Sequence, residues 1–350
     1  MKNKILYFFA IFLMVSCQNQ EVKFPDFDHN AVYFPLQYPV RTLSLGDDDR
    51  VDNTLDKELK FHIGVSIGGM YNNTRDWKVD FTIDQSLVDS LYAGTEKLEL
   101  LPTNYYQLAS DNQVIIPKGS FNGLLQVQLD QSFLDNPKAI MTHYVIPLRI
   151  VGSDADSVLH GIPSIANADR RISGQWDASA QPKDFVLFGI KYVNKLHGKY
   201  LRRGKAALFS GGVSVKNAKG TDSVLVYRTN YIEQNQVVTL LTSGRNTAKT
   251  DYLGRDVSPT GFSMTLELGN DGNIIVKQTI GSTYLPTGTG KRITTANSTE
   301  EWGGYKREAY YLEYSFTGSN KITYQAKDTL VFRDRNLAFE AFVPIVKPKV

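Results

Sequence analysis

From Ala31 onward the chain alternates short apolar runs with clusters of turn residues: AVYFPL, LKFHIGVSI, WKVDFTI, QVIIP, LLQVQL and HYVIPLRIV. Strand side chains alternate between faces, so WKVDFTI places Trp77, Val79, Phe81 and Ile83 on one side and Lys78, Asp80 and Thr82 on the other. That is the pattern of a half-buried antiparallel strand. Only QSLVDSLYAG, 85–94, reads as a helical turn or two, and no long amphipathic helix is evident. The pattern predicts an immunoglobulin-like β-sandwich over 31–152. Next comes 153–183, rich in small, polar and turn residues, which reads as a linker although Ile162, Ile165 and Trp176 suggest some packing.

A second all-β region follows from 184 to 350. Its clearest elements are two hairpins. One pairs 262–268 with 273–280 across Asn270-Asp271-Gly272, where Asp-Gly supplies the left-handed conformations of a tight reversal. The other turns at Gly318-Ser319-Asn320. With runs near 199–209, 223–232 and 236–242 the region amounts to about eight strands in a meander, and a closed barrel removes their exposed edges. LAFEAFVPIV, 337–346, is expected to dock as a terminal strand or clasp. The predicted fold class is therefore all-β: an Ig-like sandwich followed by a calycin-like antiparallel β-barrel.

The N-terminus reads MKNKILYFFAIFLMVSC. Its apolar stretch, Ile5–Val15, is too short to span a hydrocarbon core of ~30 Å as a helix, so a signal h-region fits better than a permanent span. Met14-Val15-Ser16-Cys17 resembles a bacterial lipobox, in which Cys17 becomes the lipid-modified first residue. An ordinary signal peptide with an incidental cysteine is the alternative. Cys17 is the only cysteine of 350 residues, which removes disulfides and argues against a thiol metal site. Residues 18–30 read as a tether. Glu21 is the one acid just after Cys17, a weak form of the acidic export tag of Bacteroidetes surface lipoproteins.

Composition changes the picture little, with 42% hydrophobic, 21% charged and 11% aromatic residues, as expected of an ordered β-rich protein. The formal charge of +3 falls to +1 once Lys2 and Lys4 leave with the leader. Basic residues are scattered, so no nucleic-acid partner is expected.

Several segments carry a family resemblance. VYFPL, QVIIPKGSFNGLLQVQL and HYVIPLRIV resemble the N-terminal Ig-like domain of unknown function of Bacteroidetes lipoproteins from glycan-utilisation loci. LFGIKYVNKLHGKYLRRG, EEWGGYKREAYYLEYSF and DTLVFRDRNLAFEAF are similar to the calycin-like, lipocalin-shaped C-terminal domains of the same group. The resemblance implies a non-enzymatic surface protein, lipid-anchored in the outer membrane and facing the exterior. Its implied partners are a polysaccharide or oligosaccharide and SusC/SusD-type outer-membrane proteins, with the membrane reached through the lipid alone. Two alternatives stand beside it: an adhesin-like or assembly subunit with no sugar site, and a small hydrophobic ligand carrier.

Catalytic motifs fail on their own terms. GTGKR, 288–292, lacks the earlier glycine of a phosphate loop and has Arg292 where Ser or Thr is required. The five histidines are isolated, and Val51 interrupts the alternation of a calcium loop in the cluster Asp47, Asp48, Asp49 and Asp52, which reads as a solvated loop. No catalytic residue, metal or cofactor is expected. Sugar binding instead needs flat aromatic faces flanked by planar polar groups. STEEWGGYKREAYY, 298–311, offers Trp302, Tyr305 and Arg307, although Trp302 would equally serve to plug a barrel end. Tyr252 and Arg245 form a second candidate rim, and Trp176 is a weaker candidate.

Overall fold

A computed structural model of the chain describes residues 25–251 and 261–347. Its N-terminal part is a two-sheet sandwich. One sheet runs Ser157–Val158, Ala31–Tyr33, Lys60–Gly68, Asn122–Leu129, Tyr106–Leu108 in spatial order. The other runs Glu340–Ala341, Pro39–Ser44, Phe185–Val193, Tyr144–Ser153, Trp77–Ile83, Gln113–Ile116. Alternate residues of both sheets meet in one core that includes Val65, Phe81, Val127, Ile146 and Tyr192. Trp77, Val79 and Phe81 lie in it as their alternation requires, and the Trp77 indole N–H donates to Asn73 Oδ1 at 2.8 Å.

The C-terminal part is a closed antiparallel barrel of eight strands: Gly198–Ser210, Gln236–Gly244, Thr247–Thr250, Met264–Leu268, Asn273–Gln278, Thr287–Ile293, Ala309–Thr317 and Ile322–Asp334. Pairing of the first with the last closes the cylinder and leaves neither with an open ladder. Both hairpins turn where the sequence places them. Gly272, at φ 81°, supplies the left-handed residue of the first. The interior is occupied by side chains, among them Tyr200, Leu240, Leu266, Tyr310, Leu312 and Phe316. This packing takes the space that a hydrophobic ligand carrier would need.

One charged group is also enclosed there. Arg202 Nε donates to Asp328 Oδ2 at 2.8 Å and its Nη2 to the Tyr314 hydroxyl at 2.9 Å, while the Tyr314 and Tyr227 hydroxyls both donate to Asp328. Both charges are buried, and removing one member strands the other away from water.

Three expectations about the domain layout need correction. Phe185–Val193 belongs to the sandwich, paired with Tyr144–Ser153 and Pro39–Ser44, so the barrel begins after Val193 rather than at 184. The stretch 153–183 is not a free linker: Trp176 is 8% exposed, its indole N–H bonds Asp169 O at 2.7 Å, and Arg170 and His160 both bond the fully buried Asp184. The C-terminal clasp docks on the sandwich, not the barrel. There Glu340–Ala341 pairs with Pro39–Ser44, and Pro344–Val346 pairs with Leu91–Ala93. The end of the predicted tether is docked as well, with Asp26 accepting from Tyr71 N at 2.8 Å.

Replacing Asp328 with Ala should cost ~3–5 kcal/mol of stability, because the Arg202 charge stays buried without its carboxylate. Urea denaturation of the purified protein checks this, and a loss below ~1 kcal/mol would show that the cluster is open to water.

Candidate functional site

The sandwich and the barrel meet along a polar cleft of ≈ 370 Å³ lined by Asp47, Asp48, Asp49 and Lys57 on one side and Thr295, Lys306, Arg307 and Glu308 on the other. The aspartates sit on the loop that leaves Pro39–Ser44 and leads into a single helical turn, Thr54–Lys57. Asp52 starts this turn by accepting from Thr54 N at 3.0 Å. The segment is largely exposed, as a solvated loop, and its acids also form ion pairs at the junction. Asp47 pairs with Lys57 at 2.5 Å and faces Arg292 at 3.7 Å, and Asp48 pairs with Arg50 at 2.8 Å. The Lys57 hydrogen bond holds the Asp47 carboxyl below its ordinary range. For Asp48, burial opposes ionisation, but the bonds from Arg50 outweigh it and the carboxyl also titrates low.

Across the cleft, Trp302 and Tyr305 lie on a two-rung hairpin, Glu301–Trp302 with Tyr305–Lys306. Gly303 and Gly304, at φ 62° and 77°, form the reversal that only successive left-handed residues allow. The Trp302 indole N–H donates to Phe332 O at 3.0 Å, which fixes the ring against the barrel. Arg307 lies with its guanidinium carbon 4.5 Å from the centre of that ring and 5.4 Å from that of Tyr305. Its Nη1 reaches both carboxylate oxygens of Asp49 at 3.2 Å. Arg307, which lines the cleft, is therefore a brace between hairpin and sandwich, whereas Tyr305 on the same hairpin stays 63% exposed.

Of the other predicted site residues, Arg245 donates to both oxygens of Asp135 at 3.0 Å and to Gln131 at 2.9 Å, so it is a second tie between the domains rather than a ligand rim. Trp176 is buried within the segment 153–183, bridged to Pro163 and bonded to Asp169 O, and its buried ring corrects the suggestion of a binding platform. Tyr252 and Cys17 lie outside the described residues. Among the described residues no group of three His, Cys, Asp or Glu is placed to hold a metal ion, and no helix is long and apolar enough to cross a membrane.

Sequence reasoning missed Arg335 and Asn194, which build the junction, and read Glu308 as part of a sugar-binding loop. Arg335, 3% exposed, donates to Asp47 O at 2.7 Å, Lys195 O at 2.7 Å and His197 O at 2.9 Å. Asn194 sends its amide to Gly244 O at 2.8 Å and Thr247 O at 2.7 Å, pinning the entry to the barrel. Glu308, buried, accepts from Arg292 at 2.8 Å and from the Tyr310 hydroxyl at 2.5 Å. An adjoining trough of ≈ 960 Å³ shares Asp48, Val51, Asp52 and Asn53 with the cleft, is lined also by Leu36, Leu337 and Phe339, and contains the ion pairs Arg41 with Asp56 and Arg50 with Asp48.

Comparison with known proteins places this architecture. A structural-genomics protein of unknown function from Bacteroides ovatus is 34% identical, with 92% of this chain and 100% of that chain aligned at a TM-score of 0.81. The chain belongs to that protein's family. Residues 195–336 match a domain of unknown function, DUF5627, and residues 27–157 match a profile described as a "-like, N-terminal domain". The DUF5627 match begins where the barrel does, after Val193, and so agrees with the corrected boundary. A multidomain Bacteroides ovatus protein that includes DUF1735 aligns at 16% identity over 87% of this chain and 94% of its own, at a TM-score of 0.38. No curated protein matches.

His197, at the barrel entry, has its pKa pulled down to about 4 by burial first and by the Arg335 and Lys191 charges second. An unfolded histidine titrates near 6.5. The unfolded chain thus binds the extra proton first, and stability is lost as pH falls from about 6.5 towards 4, by up to about 3 kcal/mol. His197→Gln should show a shallower loss than the wild type over this window in paired denaturation curves. Parallel curves would remove His197 as the cause.

Proposed function

We propose that the protein is a non-catalytic, lipid-anchored accessory protein of glycan uptake at the outer surface of the outer membrane, binding polysaccharide or oligosaccharide at the domain junction beside SusC/SusD-type machinery. One observation carries the binding part of this reading: an exposed aromatic ring, Tyr305, held on a braced hairpin beside a polar cleft rich in ionised carboxylates. An aromatic face covers the apolar side of a pyranose, while carboxylates and amines meet its hydroxyl edge. Bracing by Trp302 and Arg307 lowers the ordering cost of binding. The arrangement narrows the expected site to Tyr305 and the cleft, with Trp302 and Arg307 as supports.

Domain placement supports the same role. His29 and Asn30 bond Ser157 and Asp156 at the end of the sandwich where Ala31 faces Gly68. Ser44 and Val193, which lead to the barrel, lie at the opposite end. Lys60–Gly68, nine residues long, spans about 30 Å between these ends. If Cys17 carries the lipid, the sandwich acts as a spacer that holds the barrel away from the membrane.

The adhesin-like or assembly reading has its own support, because Arg307 and Arg245 serve as ties between domains. Affinity electrophoresis of residues 18–350 through gels containing plant, host and microbial polysaccharides separates the two. Retardation by at least one neutral glycan is expected, with Tyr305→Ala reducing it about tenfold or more, the worth of one stacked aromatic. Free migration in every gel would favour the assembly reading, and retardation unchanged in the variant would exclude Tyr305 from the site.

A further inference from the structure

A second groove lies on the barrel, and no residue of it belongs to the domain junction. A groove of ≈ 510 Å³ crosses the outer face of strands Gly198–Ser210, Ile322–Asp334, Ala309–Thr317 and Thr287–Ile293. The outward side chains between its walls are small, Ala207 and Ser315, with Val224 at one end.

Along one wall, Lys205 stands directly across the strand pair from Lys327. Like charges in that register are destabilising. Glu313, opposite Lys327 on the other side, pairs with it at 2.8 Å and neutralises one of the two. Lys205 makes no ion pair among the described residues, which leaves the wall with one excess positive charge. In the next row, two residues along each strand, Gln325, Ser315 and Thr287 present amide and hydroxyl groups in cross-strand register.

Together these features suit a ligand with one anionic group for the lysines, several hydroxyls for the neighbouring row, and a flat body between them. A single excess charge is too little for a nucleic-acid backbone, and the groove has no aromatic side chain exposed for base stacking. We infer that this groove is a second saccharide subsite that takes an acidic sugar, its carboxylate or sulfate received by Lys205 and Lys327. The inference rests on the reading of the protein as a glycan binder and adds to it a substrate class and a second place of contact.

The test is calorimetric titration of residues 18–350 with oligogalacturonate, which carries carboxylates, with dextran sulfate, which carries sulfates, and with neutral dextran. Binding of one acidic probe is expected, weakening as salt rises because the contact is charge-dependent. Lys205→Ser/Lys327→Ser should weaken it about tenfold or more, as loss of a charge-assisted hydrogen bond implies, with the melting temperature retained. Lys219→Ser, an exposed lysine on another loop, should leave it unchanged. Absence of binding to both acidic probes, an undiminished affinity in the double variant, or an equal loss in Lys219→Ser would each overturn the subsite. Tyr305→Ala is titrated alongside. Loss of neutral-glycan binding in that variant, with no effect of the lysine pair, would overturn the subsite and leave the junction reading standing.

Discussion

The arrangement of the two domains depends on one buried guanidinium. Arg335 lies where the chain leaves the barrel, and its N–H groups reach carbonyls on the sandwich loop, Asp47, and on the segment entering the barrel, Lys195 and His197. Three stretches distant in sequence are thereby held at one point. The planar fork suits this task in a way an ammonium would not, since several donors must diverge in a fixed plane. Its carbon lies 4.3 Å from the centre of the Phe332 ring, and a Cβ on Gly46 would fall 2.4 Å from it, so ring and bare glycine leave room for the guanidinium alone.

Around this point the remaining ties gain meaning. Arg307 with Asp49 and Arg245 with Asp135 lie at the edges of the junction, where partial exposure makes each pair worth little by itself. Their value is geometric. They act on domains already aligned by Arg335, Asn194 and the C-terminal strands that return to the sandwich, and so they fix the hairpin bearing Tyr305 relative to the acidic loop. A glycan site assembled from two domains is only as well organised as the junction beneath it.

Much of the fold was legible in the sequence. Period-two alternation locates the strands, Asp271-Gly272 locates a hairpin, and Trp77, in phase with Val79 and Phe81, lies in the core with them. The errors share a physical origin. Alternation shows that Phe185–Val193 is a strand, but a strand pairs through backbone groups identical in every residue, so nothing local says which sheet it joins. Arg245 and Arg307 resembled a ligand rim because they lie in polar loops, while their carboxylate partners are 110 and 258 residues away. Trp176 was placed in a linker since the stretch lacks periodicity, yet irregular backbone packs well when Asp169 and Asp184 satisfy its polar groups. Arg335 gave no signal, because one arginine in VFRDR looks like any strand-ending charge.

The central claim is that the sandwich and barrel form one rigid unit around Arg335, and a distance measured across the junction tests it most directly. Spin labels on Lys118→Cys and Lys219→Cys, one exposed site on each domain, report that distance by pulsed electron resonance in residues 18–350, which contain no other cysteine. A single narrow distribution that broadens in Arg335→Ala is the predicted result. A broad distribution in the protein with Arg335 intact would contradict the account.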